Sequence, residues 1–489
     1  MKNRIKVLQI LGIAGLFALS TVAFAIDDTE AQETPKKQTR KEKKLEKEKQ
    51  KYSRYTIPTE NTIIPNEIES DTLTIEGSVA KSLELNLADC LKLALTYNPT
   101  LKAQYAESAA VKTLRGQALS NWSPTISATA GLSRLKPDMS NTPFDMEIDP
   151  FNHYTAGEIS VKELIYDFGI TQNLYKMRKI EHEESLNNIE TVANNIICQV
   201  KTAYYLLVTA IEKERVMVDT VSQFEQTYAQ AKAFYDVGVK PKIDVTIAAT
   251  NLADARAKLI QAQNDVVTAT ATLNNAMGLP FIVPYTIDEI LPYEEFDTNI
   301  KELIEIANEN RPALKNSALS VKEAEQAWKL SKNFRPVAYV QGAWGAGGNS
   351  NIHGARDYWN FGGYLGFNSI NPFLLKNQID EQRHRYEKQQ FVADGIVNDI
   401  YYEIQTTWAK LLDARDRVPV AELSMQMAKE NYELASGRYK VGESDAIELK
   451  DAQIQYQNSR LAYYNTLYEY NREKANLEKA VGQTLKNKS

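Results

Sequence analysis

The sequence predicts an α+β membrane protein, in which several chains share one transmembrane β-barrel and long helices continue that barrel as a tube. Three observations predict it. The chain is internally duplicated, each copy holds a helical stretch far longer than a compact domain needs, and each copy holds two segments of alternating polarity. Composition is compatible: of 489 residues, 43% are hydrophobic and 25% charged, which excludes a disordered chain. Glycine (21) and proline (16) are too scarce for an all-β chain full of turns. The net charge of −6 lacks the basic excess of a nucleic-acid binder. Two cysteines cannot build a disulfide framework or a zinc site, and four scattered histidines leave little room for a metalloenzyme.

Residues 1–25 read as a secretory signal peptide. Lys2, Arg4 and Lys6 form a basic start, Val7–Leu19 an apolar run, and Ala23-Phe24-Ala25 a small-residue cleavage site. No cysteine follows that site, so no lipoprotein anchor is expected. Removing the three basic residues takes the net charge from −6 to −9. Residues 26–84 read as a charged, flexible N-terminal arm. Within it, Lys36–Lys51 carries nine basic and three acidic residues, and reads either as a solvated tether or as a contact for anionic envelope polymer.

Residues 85–485 form a duplicated domain, with repeat one at about 85–280 and repeat two at about 298–485. Asn98-Pro99 matches Arg311-Pro312, and Trp122-Ser-Pro124 matches Phe334-Arg-Pro336. Ile165-Tyr-Asp-Phe168 matches Ile370-Asn-Pro-Phe373. Tyr235-Asp-Val-Gly238 matches Tyr439-Lys-Val-Gly442, and Ala276-Met-Gly278 matches Ala480-Val-Gly482, both at an offset of 204. The offset changes by about eight between Pro124 and Ile165, so the first hairpin loop is the longer.

Each repeat has one order: a broken helix, two strands, a very long helix and a second helix. The first helices, about 87–121 and 300–335, break at Asn98-Pro99 and Arg311-Pro312, because proline removes a donor and restricts its predecessor. Unbroken long helices are expected over 170–236 and 374–440, each roughly 100 Å at 1.5 Å per residue. In the helix that follows the first long one, Val245, Leu252, Leu259, Val266 and Leu273 recur every seven residues. Alanines 248, 255, 262, 269 and 276 recur three positions later, giving a seam of alternating large and small knobs. The last helix carries Leu449, Tyr456, Tyr463, Tyr470 and Leu477 and a second apolar line at Ile454, Leu461, Tyr464 and Tyr468, so it expects two neighbours.

Alternation marks four strands, at about 125–133, 155–165, 336–346 and 357–370. Ile126, Ala128, Ile159, Val161, Val340, Trp344, Trp359, Phe361 and Leu365 fall on their apolar sides. Each run is about the length of a transmembrane strand. Four strands cannot close a barrel, and open edges are not tolerated in lipid, so several chains must contribute. The hairpin loops, about 135–153 and 347–356, would then share one side and the helices would project from the other.

These residues resemble the TolC-type outer-membrane efflux protein family. The resemblance spans about 85–485 and rests on the proline breaks, the duplicated order and the two turns. Phe234–Val245 and Arg438–Leu449 are similar to that family's Tyr-x-x-Gly-x5-Asp-Val-Leu signature. The resemblance implies a homotrimer in the cell outer membrane, with a twelve-stranded barrel and a coiled-coil helical barrel in the periplasm. It implies a passive exit duct of a tripartite efflux or type I secretion system, with a periplasmic adaptor (membrane fusion) protein and an inner-membrane pump as partners. Neither enzymatic activity nor a cofactor is implied.

By the same resemblance, Val237, Gly238, Val441 and Gly442 are adaptor-docking turns, and Glu448 and Asp451 are the pore constriction. Asp244 and Tyr439 are gate candidates. Ser444 stands where the family has an arginine, with Lys240, Lys242 and Arg438 nearby as replacements. A soluble periplasmic coiled-coil scaffold is the alternative function. An envelope enzyme finds no motif: His182-Glu-Glu-Ser lacks the second histidine of a metalloprotease helix. Cys90 and Cys198 are either a disulfide or two buried thiols.

Overall fold

A computed structural model describes residues 83–135, 152–279, 285–287, 291–293, 295–296, 299–332, 336–349, 356–366 and 371–485. The expected signal peptide, the arm through residue 82 and most of both hairpin loops lie outside the described residues, as do Phe367 and Asn368 of the expected fourth strand. Residues 83 and 84, expected in the arm, instead begin strand β1 (Leu83–Leu85), which pairs in parallel with β4 (Tyr285–Ile287).

Repeat one comprises α1 (Leu87–Tyr97), α2 (Pro99–Leu119), β2 (Thr125–Leu135), β3 (Asn152–Tyr166), α3 (Ile170–Asp236) and α4 (Lys242–Met277). Repeat two comprises α5 (Ile300–Asn310), α6 (Pro312–Ser331), β5 (Val337–Asn349), β6 (Arg356–Gly366), α7 (Pro372–Lys440) and α8 (Ala446–Val481). The proline breaks fall where the sequence puts them, and each is tied to the far end of its own repeat. Asn98 caps α2 through the Thr100 amide (2.9 Å) and donates Nδ2 to the Ala276 carbonyl (3.1 Å). Arg311 likewise donates to the Lys479 carbonyl and to Glu403 Oε2. Gly278 and Gly482 end α4 and α8 at φ 75° and 79°. A Cβ on Gly278 would stand 2.7 Å from Asn98 Cα, and one on Gly482 3.1 Å from Arg311 Cα, so both the φ and the approach require glycine. Each repeat thus closes on itself, its proline break seated against its own C-terminal glycine turn, and both repeats make the same contact.

The long helix α7 contains Pro419, which argues against the unbroken rod expected there. The helix continues nonetheless. Proline frees the carbonyl of residue 415, and the Tyr293 hydroxyl, on the segment between repeats, donates to that oxygen at 3.3 Å. Tyr293 also meets Tyr470 edge-to-face at 5.2 Å, and Asn471 holds the Pro292 carbonyl at 3.0 Å.

The helices form a wall. In the half away from the sheet the order is α4–α3–α8–α7, and in the half next to it α2–α3–α6–α7. The expected seam is present: Ala248, Leu252, Ala255, Ala262, Ala269 and Leu273 are buried. Leu252 and Ala255 pack with Val221 and Phe224 of α3, and Ala262 with Val216 and Met217. Gln453 of α8 donates to Thr227 of α3 at 3.0 Å within this wall. Among the described residues, no helix is long and apolar enough to cross a membrane.

The four long strands make one antiparallel sheet, ordered β2-β3-β5-β6. Alternation places Ala128, Ile159, Trp344 and Trp359 in one cross-strand row, and Ile126, Val161, Gly342 and Phe361 in the next. This face is uncovered: Trp359 is 77% and Phe361 72% exposed. The other face is polar, with Tyr358 donating to Glu158 Oε2 (2.8 Å) and the Lys162 ammonium 4.0 Å from the Tyr339 ring centre. Sixteen residues separate β2 from β3 and six separate β5 from β6, so the first hairpin loop is the longer, as the offset requires.

Candidate functional site

The site is built at the ends of α3 and α7, where both long helices stop in the same way. Gly238 (φ 77°) and Gly442 (φ 81°) take the left-handed conformation after the last helical residue. The Val239 amide then reaches the Phe234 carbonyl, and the Glu443 amide the Arg438 carbonyl, each at 2.9 Å. These six-to-one bonds satisfy carbonyls that a helix end leaves open. Around them, Val237 (71% exposed) and Val441 (70% exposed) stand in solvent, joined by Val239, Ile243 and Ile447. The four turn residues identified from sequence therefore lie in an exposed tip with an apolar surface. Sequence reasoning missed Val239, Ile243 and Ile447, whose signal was an apolar side chain beside a glycine turn.

The two turns touch. Lys240 Nζ approaches the Ser444 carbonyl at 3.4 Å. Tyr439, fully buried, packs edge-to-face on Phe234 of the other repeat with ring centres 6.0 Å apart. Its hydroxyl has no hydrogen-bond partner among the described residues. Burial, and then the Asp244 charge, push its pKa above the usual phenol value. The gate candidates Asp244 and Tyr439 are thus near enough for the Asp244 charge to disfavour an ionised Tyr439.

At the second turn, Asp445 caps α8 by accepting from the Ile447 (3.1 Å) and Glu448 (2.8 Å) amides. Glu448 accepts twice, from Arg438 Nη1 and from Ser444 Oγ, both at 2.6 Å. Of the cations expected to replace the family arginine, Arg438 takes the Glu448 carboxylate and Lys240 takes a backbone oxygen. Asp451, one turn on, remains exposed with Lys450 at 3.9 Å. The two carboxylates expected at a constriction therefore differ: Glu448 is paired with Arg438 of its own chain, and Asp451 is exposed beside Lys450.

Cys90 and Cys198 are separate, buried thiols. Burial, helped by the Asp89 charge, pushes Cys90 up to about 12. No group of histidine, cysteine and carboxylate side chains among the described residues could hold a metal ion.

Comparison with known proteins agrees with this geometry. The outer membrane efflux protein family model matches residues 90–279, which is repeat one. No curated protein matches the sequence. Among solved structures, the fold matches the CmeC outer membrane channel of Campylobacter jejuni (TM-score 0.72, 18% identity, 87% of this chain and 94% of that one). It matches the outer membrane protein VceC of Vibrio cholerae (0.68, 17%, 81% and 96%). It also matches the open state of the MtrE outer membrane channel of Neisseria gonorrhoeae (0.66, 18%, 88% and 98%). The resemblance drawn from the two turns and the duplicated order therefore stands.

Proposed function

We propose that this chain, similar over residues 90–279 to outer membrane efflux proteins, is the outer-membrane exit duct of a tripartite efflux or type I secretion system. One observation carries the reading: the sheet and the helix wall are open on the same two sides. The sheet ends at β2 and β6, and the wall at α2 and α4 on one side and α7 on the other. Repeating the chain head-to-tail covers both layers at once and closes a ring. The exposed aromatic face of the sheet then meets lipid, and no strand edge remains open. Three copies give the twelve-stranded barrel of the outer membrane, with the helical tube in the periplasm.

In this assembly the exposed turns at Val237, Gly238, Val441 and Gly442 receive a periplasmic adaptor, which joins the duct to an inner-membrane pump. Glu448 and Asp451 stand at the constriction, with Asp244 and Tyr439 in the gate beside them. Conduction is passive. Because Arg438 neutralises Glu448, the open charge of the constriction is the ring of Asp451 carboxylates. Purified protein in a planar bilayer is expected to form cation-selective channels that multivalent cations block. Asp451→Asn should weaken selectivity and block, whereas Glu448→Gln alone should change them less. A soluble protein without conductance would favour the periplasmic scaffold instead.

A further inference from the structure

We propose that each chain holds an anionic phospholipid headgroup in a cleft where β3 turns into α3. This rests on the membrane reading above. The cleft, about 820 Å³, is lined at the strand ends by Trp122, Tyr166 and Phe168, and on α3 and α6 by Lys176, Lys329 and Lys332.

The corner that shapes it is strained. Phe168 (φ 54°) is the one non-glycine residue with positive φ among those described, and Gly169 follows at φ 99°. Phe168 packs edge-to-face on Tyr166 with ring centres 4.7 Å apart. Asp167, buried, fixes the turn by accepting from the Gly169 (3.1 Å) and Thr171 (2.6 Å) amides. Repeat two starts its long helix differently, with Asn371 capping the Leu374 amide and Pro372 at the first turn. Repeat one thus keeps a costly conformation where its copy uses an ordinary one. Strain of this kind points to a positioning role.

The chemistry indicates what is positioned. Lys332 sits 3.2 Å from the Trp328 ring centre, Lys329 pairs with Glu325 at 2.6 Å, and Lys176 is exposed. Three ammonium groups face two carboxylates, Asp167 and Glu325, one of which is occupied in capping. Tyr166 pairs with Ala338 across a bulge and so lies on the apolar sheet face of Val340 and Trp344. The cleft therefore stands at the helix-side end of the apolar band. Aromatic rings and lysines at such a band's edge lie at headgroup depth, where basic pockets bind anionic lipid. The lysines receive the phosphate, and the acyl chains run along Ile165 and Val161.

The test uses full-length protein in phosphatidylcholine nanodiscs doped with phosphatidylglycerol or cardiolipin, with insertion checked by conductance of the same sample. Native mass spectrometry then counts retained lipid. Wild-type protein should retain anionic lipid over phosphatidylcholine by about five-fold or more. The Lys176→Gln, Lys329→Gln, Lys332→Gln variant should fall to the phosphatidylcholine level while still conducting. If that variant fails to insert, Lys176→Gln with Lys332→Gln, which spares the Glu325 pair, should reduce retention. Equal retention by a conducting variant, no preference in wild type, or displacement by excess inorganic phosphate would each overturn the lipid site. Failure of wild-type protein to insert would instead overturn the channel reading on which it rests.

Discussion

The long helices α3 and α7 occupy equivalent places in the two repeats, yet α3 buries twenty-two residues and α7 eight. The second helices show the reverse, with eight buried in α4 and fifteen in α8. The difference follows from position: α3 and α8 are internal to the wall, while α4 and α7 are its edges. What α7 leaves open is patterned. Val420, Met427 and Leu434 recur every seven residues and are exposed, with Leu423 between them. Ile260 and Val267 of α4 form a similar exposed seven-residue step. A seam without a partner in the chain expects one in another copy. Duplication therefore yields one pair of helices whose seams are satisfied internally and one pair whose seams are left exposed by the chain itself.

The largest expected effect breaks that asymmetry at its open edge. Met427→Glu with Leu434→Glu should abolish the oligomer while leaving helix content nearly unchanged, measured by native mass and circular dichroism. Inside the wall, Ala255→Leu should lower stability by about 1–3 kcal/mol through overpacking against Val221 and Phe224. Thermal unfolding in detergent reads this, and a neutral result would mean that the α3–α4 seam is loose.

A smaller effect separates the two long helices by pH. Glu184 of α3 is pushed up to about 7 by burial, with the charges of Glu323 and Glu181 adding and a Ser320 hydrogen bond opposing. Glu323 is itself raised by burial and by Glu181, while Arg178 opposes. At the 204-residue offset α7 has an exposed Lys388 instead. Because the folded wall favours protonated Glu184, its stabilising contribution is full below the usual carboxylate pKa and is lost as pH rises through about 7. Glu184→Gln should reduce the fall in melting temperature between about pH 5 and about pH 8. Lys388→Gln should leave that slope unchanged.

The smallest effect probes where the repeats remain alike. Gly238→Ala and Gly442→Ala should each cost roughly 1 kcal/mol from the left-handed backbone alone, since an added Cβ meets nothing within 4 Å. Equal shifts in melting temperature would confirm the equivalence of the two turns.

The sequence carried the helix boundaries because proline and glycine act locally. Asn98-Pro99, Arg311-Pro312, Gly238 and Gly442 mark breaks and ends whatever surrounds them. The strands were legible because apolar and polar residues alternate over most of each strand, with Glu163 and Leu164 as exceptions near the end of β3. Pairing across space was less legible. Arg438 lies ten residues before Glu448, and only the turn geometry chooses it over Lys240 and Lys242. The β1–β4 pair is three residues per strand, too short for any period. Pro419 is tolerated because a tyrosine from the inter-repeat segment serves the freed carbonyl, a contact no local pattern encodes. The strain at Phe168 has no local signature either, since phenylalanine is not among the residues that announce a left-handed backbone.

The exposed seams lead to one expectation above the others, that the α4 edge of one copy covers the α7 edge of the next in a closed ring of three. Native mass spectrometry of the full-length protein extracted from membranes in mild detergent tests it most directly. A particle of three chains that falls to single chains in the Met427→Glu, Leu434→Glu variant is expected. A wild-type particle of one chain, or a three-chain particle that survives that double substitution, would contradict it.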